Sequence, residues 1–153
     1  MAIPRSRPIP EKDLLSVKGL TISQLIAATN KYWTGKTSRF DSAYDCTIKK
    51  LTRPSNAQGH LIVFSLIESA TEVGKVYKTW FNFLKAKSPS ERVHVMAQCE
   101  CYDYLFRMEY ANAAHSAARL FYSNGEPPDS SNPSLHPGLC KHLICLKREL
   151  FDR

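Results

Sequence analysis

Two short stretches, AQCECYDY and PGLCKHLICL, hold four of the chain's five cysteines and one of its five histidines. Within them, Cys99 and Cys101 are two positions apart, and so are Cys140 and His142. Zinc accepts thiolate sulfur and imidazole nitrogen readily, because its filled d shell tolerates a tetrahedral set of such ligands. A site with four protein ligands leaves no position for water, so it is structural and not catalytic. The two pairs therefore predict one structural zinc ion.

The other cysteines and histidines fit this site less well. Cys145 lies among leucines, which favours core packing, and Cys46 stands alone as a packing residue or a free thiol. His115 or His136 would supply a different fourth ligand, but neither is tied to a cysteine by its spacing. The alternative to any metal is that the cysteines are buried as small hydrophobic residues.

Composition limits the compartment and the partners. No run approaches the roughly 18 apolar residues that span a bilayer, and MAIPRSRPIPEK lacks the apolar stretch of a secretory signal. We therefore expect synthesis in a cytosol and no membrane partner. An odd number of cysteines in a reducing compartment favours metal ligands over disulfides. The net charge of +7 suggests an acidic partner, either nucleic acid or an acidic protein surface, although a basic surface also serves solubility.

Catalytic motifs are missing from the sequence. It contains no GxSxG, no HExxH, no P-loop and no glycine-rich dinucleotide turn. A zinc deaminase would need a glutamate two residues after its first ligand and a later CxxC, and neither spacing is present. We therefore expect no enzymatic activity and no small-molecule substrate.

The first half of the chain predicts one helix followed by strands. TISQLIAATNKYWTG has apolar residues at helical spacing, Thr21 as an N-cap and Gly35 as a stop signal. The runs YDCTIKKL, HLIVFSLIES and KVYKTWFNFL are rich in β-branched and aromatic residues and are separated by turn residues. They predict an antiparallel meander, in which Tyr77, Phe81 and Phe83 of the third strand face the core.

The second half must position the two metal pairs. ERVHVMAQCEC predicts a fourth strand, on which Cys99 and Cys101 project to the same face and can direct their sulfurs at one point if the strand bends there. Two alternatives follow it: the alternation continues as a strand, or YLFRMEYANAAHSAARLF is helical. We predict a helix over 109–121. Pro137 and Gly138 break the chain before the last helix. That helix is predicted by apolar residues at helical spacing: Leu139, Leu143, Leu146 and Leu150.

The predicted fold class is α+β: an N-terminal helix, an antiparallel meander of about four strands, and a C-terminal helix stapled to the sheet by zinc. Residues 1–12 contain three prolines and three basic residues, so they predict an extended arm. Such an arm is either a disordered end or a tether that crosses onto a neighbouring subunit. Residues 13–153 are predicted to form a single zinc-binding domain.

CxC, a variable stretch and then CxH at the start of a helix resemble the SWIM-type zinc finger, here as CEC and CKH within residues 93–150. That resemblance implies the four zinc ligands already named and an association with DNA or protein partners. Two features differ from the family pattern. The stretch between the pairs, residues 102–139, is long for the family, and Tyr102 replaces the usual proline after the second cysteine.

A second resemblance concerns the combination of CYDYLFRMEYANA, YSNGEPP and NPSLHPGLCKHLICL, which looks like small proteins encoded by tailed bacteriophages. It implies a non-enzymatic virion component, made in the host cytoplasm, that contacts neighbouring virion subunits. The alternative is a SWIM-type nucleic-acid-binding module that combines basic residues with aromatic stacking. The basic residues available for it are Lys49, Lys50, Arg53, Lys75, Lys78, Lys85, Lys87, Lys147 and Arg148.

Overall fold

A four-stranded antiparallel sheet lies between helices at the two ends of the chain. The computed structural model describes residues 5–34, 38–54, 58–69, 71–122 and 125–152. Its strands follow one another in chain order across the sheet: β1 (Thr47–Thr52), β2 (Leu61–Glu68), β3 (Val76–Phe83) and β4 (Val95–Cys99). Its helices are α1 (Ile22–Tyr32), α2 (Arg39–Ala43), α3 (Tyr102–Arg107), α4 (Glu109–Ala114) and α5 (Lys141–Phe151). The predicted α+β meander is confirmed.

Helix α1 begins at the predicted cap. The Gln24 amide donates to the Thr21 hydroxyl (3.2 Å), and the Thr21 amide donates to the Gln24 side chain (2.9 Å). This reciprocal capping box satisfies two amides that a helix start would otherwise leave unpaired. The helix buries Ile22 and Leu25. Gly35, the predicted stop signal, lies outside the described residues.

Strand β3 is buried on both of its faces near the middle. Tyr77, Phe81 and Phe83 lie in the main core, which confirms the predicted core-facing side. Trp80 points to the opposite face and is nevertheless buried, because the Phe121 ring packs edge-on against it with ring centroids 5.3 Å apart. The segment after α4 therefore covers the second face of the sheet, which the alternation in β3 did not predict.

The chain turns helical earlier than the pattern predicted. Strand β4 ends at Cys99, and α3 and α4 replace both the possible continuation of the strand and the single helix over 109–121. The helical stretch stops at Ala114, because Ser116 takes the left-handed conformation (φ 59°) in which helices commonly end. The Tyr104 hydroxyl donates to the Ala97 carbonyl and so fastens α3 to β4.

The described part of the N-terminal arm lies on its own chain. Arg7 pairs with Leu120 through two backbone hydrogen bonds of 3.1 and 3.0 Å, and Ile9 packs on a small cluster that includes Tyr110. Residues 1–4 of the predicted arm fall outside the described residues. No described helix is long and apolar enough to cross a membrane.

Candidate metal centre

Each of the predicted ligands lies where a secondary-structure element begins or ends. Cys99 is the last residue of β4, and Cys101 is the N-cap of α3. Cys140 is the N-cap of α5, and His142 lies in the first turn of that helix. The predicted fourth strand ends at Cys99 and does not extend to Cys101, because the chain leaves the sheet between them. The bend that the convergence of the two sulfurs requires is therefore present. The turn brings the second sulfur back toward the first.

The four side chains converge on one point in the interior. Their ligand atoms all lie within 4.8 Å of one another, and Cys99 Sγ is 3.7 Å from His142 Nδ1. Tetrahedral zinc, with Zn–S of about 2.3 Å and Zn–N of about 2.0–2.1 Å, separates its ligand atoms by roughly 3.5–3.8 Å. Small side-chain adjustments would therefore close the cluster around one metal ion. The side chains are all buried, with at most 4% of any residue exposed.

Burial and mutual hydrogen bonding set the protonation of the three thiols. Burial raises the pKa of Cys99 and of Cys140. Hydrogen bonds from the Cys140 and Cys99 thiols lower the pKa of Cys101, so the cluster by itself favours one thiolate held by two thiols. A bound divalent cation would favour all three thiolates, because metal ligation requires deprotonated sulfur.

Positive charge lies next to the cluster. Three thiolates around a divalent ion leave one net negative charge, which is costly to bury without compensation. Arg39 binds Asp103 through two hydrogen bonds of 2.7 Å each, and its side chain is only 18% exposed. The Asp103 hydrogen bond raises the pKa of Arg39, and the charges of Cys140 and Cys101 raise it further. The N-terminus of α5, which begins after Cys140, adds the positive end of a helix dipole.

Two side chains of β3 support the ligands directly. The Thr79 hydroxyl lies 3.3 Å from Cys99 Sγ, and the Tyr77 ring packs against the His142 ring with centroids 4.9 Å apart. His142 Nδ1 faces the sulfurs, whereas its buried Nε2 has no hydrogen-bond partner among the described residues. The ring is therefore oriented for ligation through Nδ1. Ligating histidines usually donate their other ring N–H to an acceptor, and no described residue accepts from Nε2.

Three distant side chains hold the segment that leads into Cys140. The Trp33 indole donates to the Pro137 carbonyl (3.0 Å), and the Leu139 amide donates to the Thr29 hydroxyl (2.9 Å). The Asn112 side chain donates to the Gly138 carbonyl (2.9 Å) and accepts from its amide (3.0 Å). A Cβ on Gly138 would lie 2.4 Å from the Trp33 indole nitrogen, so only glycine fits there.

The alternative ligands lie elsewhere in the structure. His115 Nε2 is 3.1 Å from the Leu135 carbonyl oxygen, and His136 stacks on Tyr32 with ring centroids 3.7 Å apart. Cys46 and Cys145 line a separate cavity, where burial raises the pKa of Cys145 to about 11. None of these four residues joins the metal cluster in the described part of the chain.

The supporting residues Arg39, Asp103, Thr79 and Asn112 were not predicted from the sequence. Their roles depend on contacts between distant parts of the chain, such as Arg39 with Asp103 across 64 positions. Only the PG dipeptide before CKH gave a local signal. It predicted a break before the last helix but not the side chains that hold this segment in place.

The arrangement is suited to holding one metal ion through four buried protein ligands. No family model matches the chain, and comparison with curated proteins and with solved structures gives no match either. The likeness to a SWIM-type finger therefore depends on the four residues and the elements that carry them.

Proposed function

We propose that Cys99, Cys101, Cys140 and His142 bind one zinc ion that stabilises the fold. The observation that carries this proposal is the convergence of three sulfurs and one ring nitrogen within 4.8 Å in a buried position. Soft thiolates with one imidazole select zinc over hard cations such as magnesium and calcium. The ion would tie the end of β4 and the start of α3 to the start of α5.

A structural role follows from the ligand count and the burial. Four protein ligands complete a tetrahedral zinc site, so no coordination position remains for water or a substrate. The ion would also span the whole excursion between Cys101 and Cys140, which contains α3, α4 and an irregular loop. That loop is already fixed by Asn132, whose side chain donates to the Arg107 carbonyl (2.7 Å) and the His136 carbonyl (2.9 Å).

For the whole chain, we propose a non-enzymatic assembly protein, and more specifically a small virion component of a tailed phage that binds neighbouring subunits. Its place would be the virion, after synthesis in the host cytoplasm. Support comes from the phage-like motifs and from an exposed aromatic pair. Tyr102 and Phe106 are each 61% exposed and stack on one another on α3, the helix that Cys101 caps. Exposed aromatic side chains are typical anchors of protein interfaces.

The second candidate function is binding of single-stranded nucleic acid. It is favoured by Lys75, whose ammonium lies 5.4 Å from the Tyr102 ring centroid beside the stacked Phe106, because such binders combine cations with aromatic platforms. Lys75 itself lies 3.7 Å from the Glu72 carboxylate, and other basic residues also pair with carboxylates. Lys49 lies 3.6 Å from Glu68, and Lys147 lies 2.8 Å from Asp152.

Two measurements on purified protein test these functions. Elemental analysis of zinc-supplemented protein should return one zinc per chain, and a value under half an equivalent would contradict the zinc site. Binding to a single-stranded oligonucleotide should be weak at every salt concentration if the chain is an assembly protein. Strong binding that falls steeply with salt, as counterion release requires, would favour the nucleic-acid function instead.

A further inference from the structure

The two edge strands of the sheet differ in whether other segments of the chain form backbone hydrogen bonds with them. At the β4 edge, the Val95 amide donates to the Leu20 carbonyl (3.0 Å), and the Ala97 amide donates to the Ala117 carbonyl (2.8 Å). Segments of the same chain therefore close that edge. At the β1 edge, no described residue beyond β2 forms a backbone hydrogen bond to Thr47–Thr52. The outer side of β1 thus offers unpaired amides and carbonyls to another strand.

The open edge is basic. Lys49 and Lys50 are consecutive exposed residues of β1, and Arg53 follows directly after the strand. The Lys49 ammonium lies 3.6 Å from the Glu68 carboxylate, whereas Lys50 and Arg53 form no ion pair with any described residue. The pairing register of β1 with β2 also shifts between Ile48 and Lys50. A second copy of β1 would bring these like charges together, so the edge disfavours pairing with itself.

A cavity lies at the start of the open strand. Its volume is about 540 Å³, and its walls come from the α2–β1 junction and from the last turns of α5. The Arg148 guanidinium covers the Tyr44 ring at 3.4 Å, and Ile48 and Cys145 add apolar surface. Pockets of roughly 300–1,000 Å³ accommodate small ligands, so this cavity has room for one large side chain. Glu149 and Asp152 also line it, and Asp152 is paired with Lys147.

We propose that β1 binds an extended acidic segment of a partner protein as a fifth strand, with one apolar side chain of that segment in the cavity beside Tyr44. In this mode of recognition, backbone hydrogen bonds provide affinity, and a pocket for a side chain provides specificity. Carboxylates on the segment would pair with Lys49, Lys50 and Arg53. The proposal names a partner class for the assembly role, and it holds whether or not zinc occupies the metal centre.

The test is an NMR titration of the full, zinc-supplemented, ¹⁵N-labelled chain with blocked peptides. The first acidic probe has one phenylalanine followed by alternating glutamate and valine. A second acidic probe has the reverse order, because the segment can pair with β1 in either the parallel or the antiparallel direction. A third probe replaces glutamate with lysine. We expect either acidic probe to shift the amide resonances of residues 47–52 below about 1 mM peptide. The lysine probe should not shift them.

Matched charge reversals test the electrostatic part. Lys49→Glu with Lys50→Glu should weaken binding of the acidic probe at least about tenfold, as expected for the loss of two charge pairs. Lys18→Glu with Lys87→Glu makes the same change in net charge at exposed positions outside β1 and should change affinity less than about threefold. Resonance dispersion and zinc content, measured on both variants, report folding and the metal site separately from the edge.

Several outcomes would overturn the proposal. The proposal is wrong if neither acidic probe shifts the amide resonances of residues 47–52 at about 1 mM. It is also wrong if the lysine probe shifts them equally. Shifts of β1 that depend on protein concentration without peptide would show that a second copy occupies the edge. A single-stranded oligonucleotide that shifts β1 at lower concentration than the acidic probes would assign the basic edge to nucleic acid.

Discussion

Replacing Cys140 should be far more damaging than replacing Cys145, although the two residues lie five positions apart in one segment. Cys140 is fully buried, caps α5 and lies within 4.8 Å of the other three ligands. Cys145 is partly exposed, and its thiol contacts only the Cys46 carbonyl at 3.7 Å among the described hydrogen-bond acceptors. Serine makes the same change of sulfur to oxygen at both positions, so the difference between the two variants reports the loss of metal binding.

The magnitude for Cys140→Ser follows from linkage between binding and folding. A ligand that binds only the folded chain adds about 4 kcal/mol when its free concentration is about 1,000 times its dissociation constant. Structural zinc reaches an apparent 10–16 kcal/mol in finger peptides, so about 4 kcal/mol is a conservative figure for a domain with its own core. In a chain of this length each kcal/mol shifts Tm by about 2–4 °C, so we expect a loss of about 8–16 °C.

The smaller effect at Cys145 comes from packing alone. A serine hydroxyl there remains able to donate to the Cys46 carbonyl, and the site is partly exposed, so about 1 kcal/mol is lost. That corresponds to about 2–4 °C in Tm. The variant should keep its zinc and its sensitivity to a chelator.

Thermal melts of both variants and the parent, each with and without a chelator, provide the assay. The parent and Cys145→Ser should both lose stability when the chelator is added, whereas Cys140→Ser should be indifferent to it. The ligand assignment is refuted if Cys140→Ser melts like the parent with a normal zinc content. It is equally refuted if Cys145→Ser is the variant that loses zinc.

Three further predictions concern the surroundings of the site. Arg39→Ala should lower zinc affinity about 10- to 100-fold in a chelator competition, whereas Asp103→Asn, which keeps the positive charge, should not lower it. Without zinc, the free energy of unfolding from denaturant titrations should fall as pH rises above 9.0, the ordinary pKa of the thiols. Burial raises the pKa of Cys99 and Cys140, so the unfolded chain loses those protons first; zinc-loaded protein lacks this contribution. Removing residues 1–12 should leave zinc content unchanged but cost about 1–3 kcal/mol, measured by denaturant titration, because two hydrogen bonds to Leu120 and the packing of Ile9 are lost. The truncation should also weaken incorporation into particles.

Each of these three predictions has an outcome that contradicts it. Equal loss of affinity in the Arg39 and Asp103 variants would show that their ion pair, and not the positive charge, matters to zinc. Parallel pH profiles with and without zinc would show that the thiols do not titrate as assigned. If the truncated chain joins particles normally, the arm stabilises its own chain and does not contribute to assembly.

Local patterns were sufficient to predict α1, the four strands, α5 and the four residues of the buried cluster, but not α2 or the helices α3 and α4. Thr21 with Gln24 carries a capping box within four residues, and the leucines of α5 repeat at the helical period, so both helices were predicted close to their observed bounds. The CxC and CxH pairs are also local patterns. Their pairwise spacing limited each pair to one region of space, and an antiparallel meander followed by a helix was enough to bring the regions together.

Long-range contacts decided what the local patterns could not. The alternation of apolar residues after Cys99 fits a strand, but Tyr104 and Asn112 are satisfied by Ala97 and Gly138 only when this segment is helical. Trp33 reaches Pro137 across 104 positions, a separation at which sequence spacing carries no information. Residues 1–12 were expected to form an extended arm that does not pack on the core, yet the backbone of Arg7 pairs with that of Leu120.

Zinc K-edge X-ray absorption on purified, zinc-supplemented protein, with total zinc measured on the same sample, tests the central claim most directly. We expect one zinc per chain with three sulfur neighbours at about 2.3 Å and one nitrogen at about 2.0–2.1 Å. A zinc content under half an equivalent, or a first shell with more than one light neighbour or fewer than three sulfurs, would contradict a closed structural site formed by Cys99, Cys101, Cys140 and His142.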